Sequence, residues 1–182
     1  MGGQLNTSGI QVVGVVGYKR SGKDTFCSVL RDAFPKVVRL AIGDEIKREL
    51  AKLLGITVAV IEEFKEPYYR RPLQDLGSVR RRLDKHYWLR RCCDQIGEAI
   101  GCGARVVVSD VRLPMEAVQL RRQFGATIVR LHRKDQGPID DHETERGVAD
   151  IVADTEFMCG SPEEVQDKAR SFGVSVLGWG EL

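Results

Sequence analysis

Histidine, methionine and tryptophan are scarce in this 182-residue chain, at three, three and two copies. No apolar stretch approaches the roughly 20 residues that a membrane-crossing helix needs. The five cysteines (Cys27, Cys92, Cys93, Cys102 and Cys159) are odd in number and lack paired-ligand spacing. That set points to reduced thiols in a cytoplasmic protein rather than to disulfides or zinc. Neither sign of charge dominates, since Lys and Arg number 28 against 26 Asp and Glu, for a net charge of +2. Nothing global therefore draws the chain to nucleic acid or to a membrane surface. Residues 1–9 are polar, lack the apolar core of a signal peptide, and read as a flexible N-terminus. Repeats and low-complexity segments are also missing.

What is present is enough chain for one domain with a full core, and one segment that carries chemistry. Gly17-Tyr18-Lys19-Arg20-Ser21-Gly22-Lys23-Asp24-Thr25 has the spacing of a nucleoside-triphosphate cradle. A β-like run, Ile10 to Val16, precedes it, and a helix-like run, Asp24 to Phe34, follows. A strand that ends in a glycine-rich turn and opens a helix aims successive backbone N–H groups at a phosphate. Lys23 would reach the β and γ phosphates. Asp24 interrupts the usual Lys-Ser/Thr pair, so Thr25, one place later, is the hydroxyl expected to serve a metal ion.

Along the chain, β-like runs at Val37–Ala41, Arg105–Ser109, Ala126–Leu131 and Ile151–Ala153 alternate with helical patterns. The helices are expected at Asp44–Leu54, Val58–Phe64, Arg71–Leu83, Tyr87–Ile100, Pro114–Phe124 and Pro162–Phe172, with Gly173 as the stop of the last. The three consecutive valines after Arg105 suit a strand buried on both faces. This order predicts an α/β fold, a three-layer sandwich with a parallel five-stranded sheet and helices on both faces. We expect a single domain over residues 1–182, with a helical acceptor-binding region at 44–100 and a lid loop at 133–145. Ligands of such sheets collect at the carboxyl ends of the strands. Gly17 onward, Gly43 with Asp44, Asp110 with Arg112, and the loop after Leu131 all fall there.

Asp110, after a hydrophobic strand, stands where a carboxylate for Mg²⁺ is kept; its alternative role is to cap the next helix. Arg112 carries forked donors suited to a phosphoryl group. The polar stretch from Arg130, His132 and Arg133 to Glu145 begins basic and turns acidic, and Arg133 is the charge that a closing lid would deliver. His142, Glu143 and Glu145 lack the spacing and the second histidine of a metal site. Lys65 to Arg91 is locally basic and interleaved with Tyr68, Tyr69, Tyr87 and Trp88. That mixture suits an acceptor phosphate with a stacked base, and also single-stranded nucleic acid.

The chain resembles the deoxynucleoside monophosphate kinases of bacteriophages, which are related in fold to adenylate and thymidylate kinases and to animal-type phosphomevalonate kinases. The matching pieces are Gly22-Lys23-Asp24-Thr25; Leu73-Gln74-Asp75-Leu76-Gly77 with Arg80 and Trp88 downstream; Ser109-Asp110-Val111-Arg112-Leu113-Pro114-Met115-Glu116; Gly125; and His142-Glu143-Thr144-Glu145. They fall in the family's order and cover most of residues 10 to 172. Met115 stands where Asn is common, and His142-Glu143-Thr144-Glu145 departs from His-x-Ser-Glu. The middle segment, which should choose the acceptor, matches least.

The resemblance implies transfer of the γ-phosphoryl of ATP, with Mg²⁺, to a deoxynucleoside monophosphate. Gly17, Lys19, Arg20, Ser21, Gly22, Lys23, Asp24 and Thr25 would hold the nucleotide, and Thr25 and Asp110 the metal. Lys23, Arg112 and Arg133 would act on the transferring group. Asp44, Arg71, Gln74, Arg80 and Trp88 would form the acceptor side. The expected partner is a small nucleotide rather than a nucleic acid or a membrane, and a homodimer stays open, as does a phage or cellular origin. Three alternatives remain: a kinase for another phosphorylated small molecule such as phosphomevalonate, a kinase for a modified base in phage DNA, and a nucleotide-binding switch or ATPase module.

Overall fold

Runs of valine build the centre of the sheet, because a strand covered on both faces buries every side chain. The computed structural model describes residues 9–133 and 147–180. Strand β1 (Val12–Val16) is buried at all five positions. Around it lie β2 (Val37–Leu40), β3 (Arg105–Val108), β4 (Thr127–Arg133) and β5 (Thr155–Cys159), in the order β2-β3-β1-β4-β5. The sheet is parallel throughout, with Val13 in register with Val107 on one side and Thr127 on the other. Seven helices are present among the described residues: α1 (Lys23–Ala33), α2 (Ile42–Leu54), α3 (Val58–Glu63), α4 (Arg70–Leu83), α5 (Tyr87–Gly101), α6 (Pro114–Phe124) and α7 (Pro162–Ser175). This is the α/β three-layer architecture expected of a nucleotide kinase. None of these helices is long and apolar enough to cross a membrane.

The chain divides into two compact units, Met1–Arg39 with Ala99–Leu182, and Leu40–Glu98. In the first, α1 presents Phe26, Cys27, Leu30 and Ala33 along one face to Val13, Val15, Val129 and Leu131. Phe26 packs on Phe172 of α7 at a centroid distance of 5.9 Å, and Phe34 meets Trp179 edge-on at 5.8 Å. The Trp179 indole N–H donates to the Ile10 carbonyl at 2.8 Å, which fastens the C-terminal segment to the start of β1. The second unit is helical. Leu50, Ala51, Ile61 and Leu73 form its core, with Ile46 and Ile56 packed against them. Thr57 caps α3 by accepting the Val60 N–H, and a kinked turn, Lys65–Tyr69, leads into α4.

Two sequence expectations need correction. The fifth strand is Thr155–Cys159, not Ile151–Ala153. Arg130 donates to the carbonyls of Val148 and Ile151, so a side chain, not a ladder, fixes that stretch. Strand geometry begins only after Asp154, whose carboxylate accepts the Ile128 N–H at 2.7 Å. Gly173 does not stop α7, which continues to Ser175. It is glycine because the Phe34 ring occupies the place of a side chain, the nearest ring carbon lying 2.2 Å from where a Cβ would sit.

Gly173→Ala is therefore expected to cost about 1–3 kcal/mol through overpacking, more than alanine's gain of ~1 kcal/mol in helix propensity. A urea midpoint equal to the wild type's would contradict that assignment. A second expectation concerns alkali. Burial pushes the Cys27 thiol from 9.0 up to about 12, with Arg39 opposing and Asp24 reinforcing the shift. The folded state then holds a proton that the unfolded chain releases above pH 9.0. The stability tied to this thiol is intact below that pH and declines as pH rises toward about 12, by about 1.4 kcal/mol per pH unit. Urea unfolding at pH 8 and at pH 10 should show a smaller decline in Cys27→Ala than in the wild type; equal declines would refute the shift.

Candidate functional site

The loop after β1 is shaped by two glycines in conformations that side chains rarely adopt. Gly17 has φ of +154°, and a Cβ there would lie 2.5 Å from both the Leu131 carbonyl oxygen and Ser21 Oγ. Gly22, at φ +95°, is the N-cap of α1, and Val165 of α7 packs where its side chain would be. Between them the chain turns back, with Ser21 N–H donating to the Tyr18 carbonyl at 3.2 Å. Lys23 is the first residue of α1 and is buried. Its ammonium folds into the loop, donating to the Tyr18 carbonyl at 2.5 Å and lying 3.5 Å from Ser21 Oγ. Asp24 is exposed, and Thr25 is half-buried.

Two neighbouring strand ends bring charge to this loop. After β3, Ser109 is buried and Asp110 and Arg112 are half-buried. Val111 N–H donates to the Val15 carbonyl at 3.2 Å, which keeps the turn beside β1. The Glu116 carboxylate reaches back from α6 to accept the N–H groups of Arg112 at 2.8 Å and Leu113 at 3.0 Å. The turn holding Asp110 and Arg112 is thus fixed by a buried acid, half of a capping box. Arg39 and Lys23 oppose, and Asp24 and Asp110 reinforce, the upward shift that burial gives the Cys27 thiol.

A cavity of about 280 Å³ opens beside the loop. Residues Arg20 to Thr25 line one side, Cys159 to Pro162 and Val165 line the other, and Arg133 stands at the end of β4. The nucleotide-side candidates Arg20, Ser21, Gly22, Lys23, Asp24 and Thr25 meet there with Arg133. Gly17 and Lys19 belong to the same loop without lining the cavity. Apart from Arg133, the expected lid at 133–145 lies outside the described residues. Sequence reasoning missed the turn after β5, although Ser161-Pro162-Glu163-Glu164 carried a helix-start signature: Ser161 Oγ accepts the Glu164 N–H, and the Glu164 carboxylate accepts the Gly160 N–H. It also missed Glu116 as the residue that sets the Arg112 turn.

The acceptor-side candidates all belong to the helical unit. Asp44, in the first turn of α2, accepts Lys47 at 2.8 Å. Arg71 is 81% exposed at its side chain and pairs with Asp75 at 3.1 Å. Arg80 donates to Glu49 at 2.7 Å, an acid that also accepts the Tyr87 hydroxyl at 2.9 Å. Trp88 is 2% exposed, and its indole N–H holds the Gly77 carbonyl at 3.1 Å. That tryptophan packs α5 on α4 and presents no open face on which a base would stack. Gln74 is half-buried on α4. The basic segment is largely neutralised within the unit: Arg70 pairs with Glu66, Arg90 with Asp84, and Arg91 with the buried Glu45.

The profile of the family described as deoxynucleotide monophosphate kinase matches residues 53–159. No curated protein shows significant similarity to the chain. The matched span runs from the end of α2 through β5, so it includes the Asp110–Arg112 turn and most of the helical unit but begins after the Gly17–Thr25 loop.

Removing the Glu116 carboxylate leaves two backbone N–H groups without their acceptor. Glu116→Ala is expected to lower stability by about 1–3 kcal/mol, and Glu116→Gln, which keeps an acceptor oxygen, by less. Thermal unfolding of the two variants checks this; if they match the wild type, the carboxylate does not hold the turn.

Proposed function

Because the chain belongs to the deoxynucleotide monophosphate kinase family, we propose that the Gly17–Thr25 loop and its cavity take ATP with Mg²⁺ as phosphoryl donor. The protein is a phosphotransferase acting on a deoxynucleoside monophosphate, a small nucleotide substrate. The observation that carries the donor assignment is Lys23, an almost buried ammonium curled onto its own loop's carbonyl at the N-terminus of a helix. A polyphosphate fits this cradle. Gly17 lets the loop pack against the Leu131 carbonyl and Ser21 where a side chain could not, the backbone turn and helix N-terminus favour negative charge, and Thr25 and Asp110 offer the oxygen ligands that Mg²⁺ prefers.

In this reading Lys23 exchanges the Tyr18 carbonyl for oxygens of the transferring group. Thr25 and Asp110 would hold the metal, which would supply charge neutralisation at the phosphate oxygens. Arg112, fixed by Glu116, and Arg133, at the cavity edge, meet the charge that develops as the group moves. An oxygen of the acceptor phosphate attacks the γ-phosphorus, a new P–O bond forms as the bond to the β,γ-bridging oxygen breaks, and ADP leaves. The acceptor is already an anion, so no general base is required, and rate comes from positioning and charge neutralisation. The helical unit receives the acceptor, with Asp44 and Gln74 among its contacts. Five free cysteines support a reducing, cytoplasmic setting.

ADP release from MgATP against the four common deoxynucleoside monophosphates and their ribose counterparts tests the reaction and names the base. Lys23→Ala is expected to lower kcat by about 10²–10³, and Arg112→Ala by about 10³–10⁵, with unfolding midpoints unchanged. Full turnover by a folded Arg112→Ala protein would remove that residue from the site, and release of ADP without any acceptor would favour an ATPase module.

A further inference from the structure

The pairing of arginines in the helical unit is uneven, and burial separates the two exceptions. Arg70, Arg71, Arg80, Arg90 and Arg91 each face a carboxylate. Arg81 and Arg82 face none among the described residues; Arg82 is exposed, whereas Arg81 is half-buried and its Nε is shut off from solvent without a hydrogen-bond partner. Its guanidinium folds back over Gly77, one helical turn earlier, with both terminal nitrogens 3.5 Å from where a Cβ of that glycine would stand. Gly77 is buried against Ile46 of α2. Gln74, Ser78 and Arg81 follow at helical spacing on this side of α4. The side chains of Gln74 and Ser78 are half-buried and make no hydrogen bond to any described residue. One stripe of α4 therefore carries a cation and two neutral polar groups whose hydrogen-bonding capacity is left over.

We propose that this stripe is the anion-binding surface of the acceptor site, and that Arg81, rather than Arg71 or Arg80, takes the phosphate of the deoxynucleoside monophosphate. The proposal rests on the kinase reading and refines it. A half-buried guanidinium that faces no carboxylate is unfavourable until an oxyanion pairs with it. The guanidinium fork matches a phosphate through two parallel hydrogen bonds. Gln74 and Ser78 supply donors for the remaining oxygens. Arg80 plays a different part: Glu49 holds it over the Tyr87 ring, 5.0 Å from the centroid, so it joins α4 to α2 and α5. Arg71 lies in solvent with Asp75.

Equilibrium titration of a deoxynucleoside monophosphate into wild type, Arg81→Ala, Arg81→Lys and Arg82→Ala proteins tests this, together with KM values for donor and acceptor. Loss of a charged hydrogen-bonding partner predicts acceptor binding and acceptor KM weakened about ten- to a hundred-fold in Arg81→Ala. The ATP KM should stay unchanged, and Arg81→Lys should recover only part of the loss. Arg82→Ala, which removes the same charge from an exposed neighbouring position, should bind as wild type. Should Arg81→Ala fail to fold, Arg81→Met keeps the stem that packs on Gly77 and carries the same expectation. Unaltered acceptor affinity in a folded Arg81 variant overturns the proposal and leaves the kinase reading intact. An equal loss in Arg82→Ala also overturns it, since the helix's net charge would then be responsible. A wild type that binds no deoxynucleoside monophosphate overturns both.

Discussion

A lysine ammonium that is almost wholly buried must find acceptors close at hand, and Lys23 finds them in the loop that carries it. That requirement shapes the loop between β1 and α1. The carbonyl of Tyr18 can point inward only if the chain doubles back between Gly17 and Gly22, and both turn residues sit where neighbouring elements exclude a side chain. At Gly17 the obstacle is backbone from β4 together with Ser21, and at Gly22 it is Val165 of α7. The loop is thus compressed between the sheet and the last helix.

The two units handle charge in opposite ways. At the strand ends, Lys23, Asp24 and Arg133 line one cavity, an arrangement that suits a charged ligand. In the helical unit, Glu45 and Glu49, one turn apart on α2, draw Arg91 and Arg80 across from α5 and α4. These contacts join α4 and α5 to α2. The buried Glu45 takes donors from Arg48, Arg91 and Gln95, the dense hydrogen bonding that a buried carboxylate needs. A segment that looks like a polyanion groove in composition is in large part an internal ion-pair lattice.

This explains which parts of the molecule could be read from sequence. The sheet was legible because strands buried on both faces leave an unbroken apolar signal, as in Val106–Val108, and helices such as Pro114–Phe124 were bounded by a proline at one end and a glycine at the other. The nucleotide loop was legible because its glycines and lysine act through local backbone geometry. Ile151 misled because an apolar pair beside an alanine looks the same whether a ladder or an arginine fixes it. Gly173 misled because a glycine that admits a neighbour's ring has the same letter as one that ends a helix.

The acceptor side was the least legible, and the reason lies in distance along the chain. Whether an arginine binds a ligand or a carboxylate depends on acids far away in sequence: Arg80 and Glu49 are separated by 31 residues, and Arg91 and Glu45 by 46. No local pattern around Arg80-Arg81-Arg82 distinguishes the residue that joins helices from the one left with an open fork. Trp88 shows the same limit, because its place in the core is set by the Gly77 carbonyl eleven residues earlier. Motif matching favoured Arg80 and Trp88 by type and order, whereas their partners assign them to the framework. In such a unit, the residues left without a protein partner are a better guide to the ligand than the residues that are most numerous.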